Sequence, residues 1–259
     1  MDNFYPALDS LFTSNERGVI GTIVVGHPTY RPTGTKFLLD SQGEICWGDI
    51  DLQILNPEDI QEVLRTKQSK VVDCSWQEVN IKLFLDPINP KPHLIILGGG
   101  HIALPLVNLG RMLDYQVSVI DDRLSFANQE RFWQADQVFC EDFRKAIRQL
   151  KFDSNTYVII VTRGHRHDKT CIEEILAQPR AAYVGMIGSR RKVSALFREV
   201  RADGFTNEQL QSIYTPIGLD IGAQTPEEIS VSIMAEIIMV NRLGYSKGLK
   251  TRNGGNNGG

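Results

Sequence analysis

The stretch His93-Leu94-Ile95-Ile96-Leu97-Gly98-Gly99-Gly100-His101-Ile102-Ala103 constrains the fold of this chain more than any other. A continuous apolar run without alternation is the pattern of a strand buried on both faces of a parallel sheet. It leads straight into G-x-G-x-x-A, in which each small residue has a physical reason. The first glycine permits a tight turn, the second lets backbone approach a phosphate, and the small third residue lets a helix pack on the strand. The free N–H groups at the start of that helix then attract an anion. Asp121 follows Gly98 by 23 residues, at the end of the next apolar run. That is close to the ~20 residues at which an acid reads a ribose hydroxyl in dinucleotide folds.

The rest of the C-terminal part keeps the same rhythm. Strands are expected at His93 to Leu97, Gln116 to Ile120, Gln137 to Cys140, Tyr157 to Thr162 and Ala182 to Ile187. Helices are expected at Ile102 to Leu113, Phe143 to Leu150, His167 to Leu176, Arg190 to Ala202 and Pro226 to Arg242. Strands alternating with helices imply right-handed βαβ units with helices on both faces. The fold class is therefore α/β: a C-terminal Rossmann-like, doubly wound parallel sheet joined to a smaller N-terminal α+β domain. In the usual order 3-2-1-4-5-6, strands one and four are neighbours, and ligands bind in the crevice at that switch point.

Before this part, Phe4 to Phe12 reads as a short amphipathic helix and β-branched Val19 to Val25 as a strand. Lys36 to Leu39 and Glu44 to Trp47 flank the hairpin turn Asp40-Ser41-Gln42-Gly43. Asn56-Pro57 starts a helix that runs to about Thr66, with Asn as N-cap and Pro at the first position. Val71 to Asp73 and Val79 to Leu85 complete the strands. Prolines 87, 90 and 92 stiffen the segment that follows. The expected division is a small domain over 1–86, a Pro-rich linker over 87–92, a Rossmann-like domain over 93–246 and a disordered tail over 247–259. The tail ends in NGGNNGG, which has no side chain to bury.

Candidate ligand residues gather at the expected crevice. Gly98, Gly100, His101 and Ile102 form the first turn. Asp121 reads hydroxyls or other donors, and Arg123 can meet a 2′-phosphate or pair with the adjacent acids. Thr162-Arg163-Gly164-His165-Arg166-His167-Asp168 follows the fourth strand, and its Thr162, His165 and Asp168 can line the site. Two histidines at i, i+2 plus Asp168 also suit a metal, although a polar lining is the plainer reading. Ser189 can cap the helix after the fifth strand, with Arg190 pointing into the crevice. Cations at a helix N-terminus oppose its dipole, which favours a binding role for Arg190. Asp220 sits in a glycine-spaced loop, Thr215 to Ala223, long enough to close over the crevice. Thr225-Pro226-Glu227-Glu228 behind it is a capping box.

Composition removes other classes. A formal net charge of -3 gives no broad attraction to nucleic acid or anionic membrane. Pro92 to Gly110 carries no charged side chain, yet its three consecutive glycines, proline and histidines read as a strand turning into a helix rather than a membrane span. The N-terminus lacks the basic and apolar regions of a secretory signal. Cys46, Cys74, Cys140 and Cys171 have no C-x-x-C spacing and fit a reducing cytoplasm. There is no G-x-S-x-G nucleophile elbow. His165 can donate a proton in hydride transfer, but no set of residues demands catalysis. A binding protein is thus favoured over an enzyme, with no catalytic and no metal-ligating residue assigned.

The motifs GGGHIA, VIDDR at Val119 to Arg123, TRGHRHD, AYVGMIGSRRK and PIGLDIGAQTPEEISVSIMAEI together resemble the XdhC/CoxI family, accessory proteins of xanthine dehydrogenase and related molybdenum hydroxylases. The resemblance covers His93 to about Gly244. It implies a non-enzymatic chaperone that binds molybdenum cofactor (molybdopterin) as cargo, supports its sulfuration by a cysteine desulfurase-type partner, and delivers it to the apo-hydroxylase. In the small domain, Gly26 to Lys36 is similar in spacing to the family's G-S-x-P-R-x-P-G-x-K stretch. The family's S-G-G-C segment is replaced by Cys46-Trp47-Gly48-Asp49, so a cysteine ligand to the metal does not carry over. The alternatives are an NAD(P)-dependent oxidoreductase, which G-x-G-x-x-A with Asp121 suits, and a nucleotide-sensing regulatory module. Homodimerisation through the small domain or the last helix is left open.

Overall fold

The computed structural model describes residues 4–14, 16–27, 32–76 and 79–243. The expected tail, the end of the expected C-terminal domain at 244–246 and positions 28–31 of the Gly26 to Lys36 motif lie outside the described residues. The chain divides into two compact units, Met1–Pro90 and Lys91–Gly259.

The first unit contains α1 (Phe4–Thr13), β1 (Gly18–Val25), β2 (Lys36–Asp40), β3 (Ile45–Trp47), a 3-10 turn (Leu52–Ile54), α2 (Pro57–Thr66), β4 (Lys70–Trp76) and β5 (Val79–Ile88). Its strands form one antiparallel sheet in the order β3-β2-β1-β5-β4. Alternation along the strands sends side chains to opposite faces. Val19 and Ile23 of β1, with Phe37 and Leu39 of β2, pack with Ile60, Val63 and Leu64 of α2. Ile20 and Leu38 take the other face with Phe4 and Leu11 of α1. Asn56 caps α2 by accepting the Glu58 N–H at 3.0 Å. Pro87 and Ile88, expected from the sequence to be connector, belong to β5, where they pair with Val19 and Gly18. Pairing of β4 with β5 stops at Leu85, so β5 has an open side beyond that point, and a proline lacking its N–H is tolerated there.

The second unit contains β6 (His93–Leu97), α3 (Ala103–Met112), β7 (Gln116–Asp121), β8 (Gln137–Cys140), α4 (Phe143–Gln149), β9 (Thr156–Ile160), α5 (His165–Leu176), β10 (Tyr183–Met186), α6 (Arg190–Ala202), α7 (Asn207–Gln211) and α8 (Pro226–Leu243). The five strands are parallel in the order β10-β9-β6-β7-β8, which is 5-4-1-2-3. In place of a sixth strand, Tyr214 makes a single parallel bridge to Gly185. Each strand feeds two cores. Ile95, Leu97, Val158 and Ile160 face α4, α5 and α6 through Phe143, Ile147, Ile172 and Leu196. Leu94, Ile96, Val117 and Ile159 face α3 and α8 through Leu106, Val107, Ile233 and Ile237. Helices therefore cover both faces, as the unbroken apolar strands require. Among the described residues, no helix is long and apolar enough to cross a membrane.

Candidate functional site

In a parallel sheet every strand delivers its loop to the same edge, so the starts of α3, α5 and α6 gather at the carboxyl ends of β6, β9 and β10. The three glycines there have different jobs. Gly98 has φ +112°, and a Cβ on it would stand 2.5 Å from the Val161 carbonyl oxygen. Its N–H donates to the Ile120 carbonyl at 2.7 Å. A Cβ on Gly99 would meet the Phe126 carbonyl oxygen at 2.3 Å. Gly100 has nothing within 4 Å of the position its Cβ would take. Behind it α3 starts without a side-chain cap, because Ile102 offers no oxygen. Of its first amides, the Ala103 N–H donates to the Gly100 carbonyl at 3.2 Å and Pro105 has none, which leaves that of Leu104 to meet an anion.

Asp121 is 1% exposed and is the anchor of this loop. Its Oδ2 accepts the Gly99 N–H at 2.8 Å and the Arg123 guanidinium at 2.9 Å. Its Oδ1 accepts the Arg123 Nε at 2.8 Å and the Arg123 backbone N–H at 3.1 Å. A carboxylate has about four lone-pair sites, and all four are used by the protein. Burial pushes the Asp121 carboxyl up, but the Arg123 guanidinium and the two backbone donors outweigh it, so the group lies below its ordinary value. Arg123 also lies over the Phe126 ring, 3.5 Å from its centroid. Arg123 thus takes the second of the two roles its position allowed, pairing with an adjacent acid, and Asp121 bonds the turn. Arg131, which no sequence signal marks, donates to the Gly100 carbonyl at 3.3 Å.

The His-rich segment is helix where a loop was expected: α5 begins at His165, two residues before the expected start. Helical geometry turns residues two apart to different sides. His165 Nε2 lies 2.9 Å from Glu199 Oε1 on α6, and the His167 ring meets Phe143 edge-on at 5.4 Å. Asp168 is fully buried. It accepts the Thr162 hydroxyl at 2.5 Å and pairs with Lys192 Nζ at 2.5 Å. The three groups diverge, and among the described residues no three His, Cys, Asp or Glu side chains come together to hold a metal ion. Ser189 caps α6 by accepting the Lys192 N–H at 3.3 Å, and Arg190, first in that helix, is exposed, as is Arg166. Arg163 reaches Asp122 at 3.0 Å. Since β6 lies between β7 and β9, this pair links the strand ends on either side of the glycine turn.

Asp220 is exposed in the loop before α8. That loop is tied down rather than loose. Gly218 N–H and the Tyr183 hydroxyl donate to Glu236 Oε2 at 2.8 and 2.6 Å, and Ser232 Oγ donates to the Leu219 carbonyl at 2.6 Å. In the first unit, Cys46 is exposed, and partial burial with nearby Asp40 and Glu16 raises its thiol. That is the opposite of the lowering that prepares a thiolate ligand.

The XdhC Rossmann domain family model matches residues 94–237, more than half of the chain. The chain belongs to the XdhC family. The matched region of this XdhC protein holds every candidate site residue from Gly98 to Asp220. The chain is 31% identical over 196 residues to a probable xanthine dehydrogenase subunit of Bacillus subtilis, covering 76% of this chain and 54% of that protein. It is 29% identical over 161 residues to the uncharacterized protein YqeB of Escherichia coli, covering 62% of this chain and 29% of that protein. The XdhC chain thus spans about half of one curated relative and under a third of the other. A crystal structure described as a xanthine dehydrogenase from Bacillus halodurans shares the fold at TM-score 0.54 and 19% identity, covering 95% of this chain and 97% of that one.

Proposed function

We propose that this XdhC-family chain binds molybdenum cofactor as cargo, shields it, and hands it to the apo form of a xanthine dehydrogenase-type hydroxylase in the cytoplasm. A cysteine desulfurase-type partner would supply sulfur to the cargo before transfer. The observation that carries this reading over a dinucleotide enzyme is the saturation of Asp121 by Gly99 and Arg123. A dinucleotide site needs that acid free for a ribose hydroxyl, which would have to displace a guanidinium or a backbone donor here. What the site does offer suits a smaller anion. The uncapped start of α3 beside the open Gly100 fits one phosphate, as a pterin cofactor carries. His101, Arg166 and Arg190, all exposed at the same edge, fit an anionic oxo-metal group. The name of the Bacillus subtilis relative supports a hydroxylase of the xanthine dehydrogenase type as recipient.

The test is transfer. Chain purified from a cofactor-producing host is mixed with apo-hydroxylase from a host that makes no cofactor, and xanthine oxidation is followed. Activity should rise with added chain and stop at one cargo per hydroxylase site. No activation, under conditions where free cofactor does activate, contradicts the proposal. A parallel titration with NADH and NADPH should show no saturable binding; saturation would restore the dinucleotide reading.

A further inference from the structure

We propose that the outward stripe of α8 is a homodimer interface in which two copies of the helix lie antiparallel across a two-fold axis. The inner face of α8 carries Ile233, Met234 and Ile237, all buried against the sheet. Its outer face carries Glu227, Val231, Ala235, Ile238 and Arg242, recurring every three or four residues on one side of the helix. Two of these are apolar yet solvent-facing, Val231 at 50% and Ile238 at 38% exposure.

What commits this stripe to a second copy is its register. Val231 and Ile238 are centred on the peptide between Met234 and Ala235, and so are Glu227 and Arg242. A two-fold axis through that point places Val231 opposite Ile238 of the other copy, and Glu227 opposite its Arg242, each contact occurring twice. This is the self-complementarity an isologous interface demands. Each charge also sits at the end of its own helix that the dipole favours, acid first and base last. Ala235, beside the axis, is small enough for the two backbones to approach. The neighbouring α3, joined to α8 where Ser230 Oγ donates to the Ile102 carbonyl at 3.2 Å, adds exposed Leu104 and Met112.

The experiment is sedimentation equilibrium on the full chain from about 1 to about 100 μM, the range in which micromolar association is measured. The wild type should dimerise. Ile238→Glu, which would bury an unpaired charge, should weaken association at least ~10-fold, while at a concentration where both proteins are monomeric the melting temperature should be unchanged because the residue is exposed. Glu227→Arg and Arg242→Glu should each weaken it, and the double variant should restore it. A monomer at all concentrations, or a dimer indifferent to Ile238→Glu, overturns the interface; then the stripe serves a different protein. Failure of the double variant to restore association overturns the antiparallel register.

Discussion

Asp121→Asn should lower the unfolding free energy by about 3 kcal/mol, the low end of the cost of breaking a buried charged pair by removing one partner. The change is isosteric, so packing is nearly conserved. It removes the negative charge that Arg123 faces and puts an amide donor against two of the four donors, either the Gly99 N–H with one guanidinium N–H or the Arg123 Nε–H with its backbone N–H. Arg123 is 24% exposed and can recover some hydration, which keeps the loss from being larger. The pH dependence identifies the cause. The folded Asp121 carboxyl is depressed below its unfolded value of about 3.9. A depressed acid contributes stability that is fully present above the unfolded pKa and disappears as pH falls through the folded one. Urea denaturation should therefore show a constant difference between wild type and variant from neutral pH to about pH 5. The difference should shrink below about pH 4, where the carboxyl of the unfolded chain takes up its proton before the folded one does. A difference independent of pH would mean that packing, not charge, holds the turn.

Gly99→Val should be as costly, about 3 kcal/mol or more, because it overpacks against backbone that cannot swing aside. Its Cβ would need the space of the Phe126 carbonyl oxygen, 2.3 Å away. Moving that carbonyl would drag the segment that holds Phe126 under Arg123, and with it the Asp121 cluster. Gly100, one residue later, has open space on that side. The expected contrast in thermal unfolding is a large drop for Gly99→Val and almost none for substitution at Gly100. Equal drops would mean that the third glycine is also structural.

Much of this architecture is legible in the residues alone. Unbroken apolar strands followed by small-residue turns can bury both faces only in a doubly wound sheet, and β6, β7 and β8 fall within a residue of their expected bounds. The short α7 was not expected, yet it carries a usable signal, since Thr206 and Gln209 form a capping box. Pro87 misleads because proline marks connectors on average; an open strand side is a tertiary fact that local sequence does not carry. The roles within the site are less legible for the same reason. Spacing puts Asp121 beside the glycine turn, but whether its carboxylate faces a ligand or the protein depends on where Arg123 and Gly99 point. His165, His167 and Asp168 are neighbours in sequence, and only the early start of α5 sends them to α6, α4 and Thr162 respectively. Arg131 lies 31 residues from the Gly100 carbonyl it contacts, a separation no motif encodes.

An anion-binding turn at Gly100 that carries cargo is the centre of the proposed function. The most direct measurement is the pterin and molybdenum content, per chain, of wild type and Gly100→Trp purified from the same cofactor-producing host. Cargo is expected on the wild type and none above background on the variant, with the two melting temperatures equal. Cargo retained by a well-folded Gly100→Trp, or absent from the wild type, would contradict a cargo site at this turn.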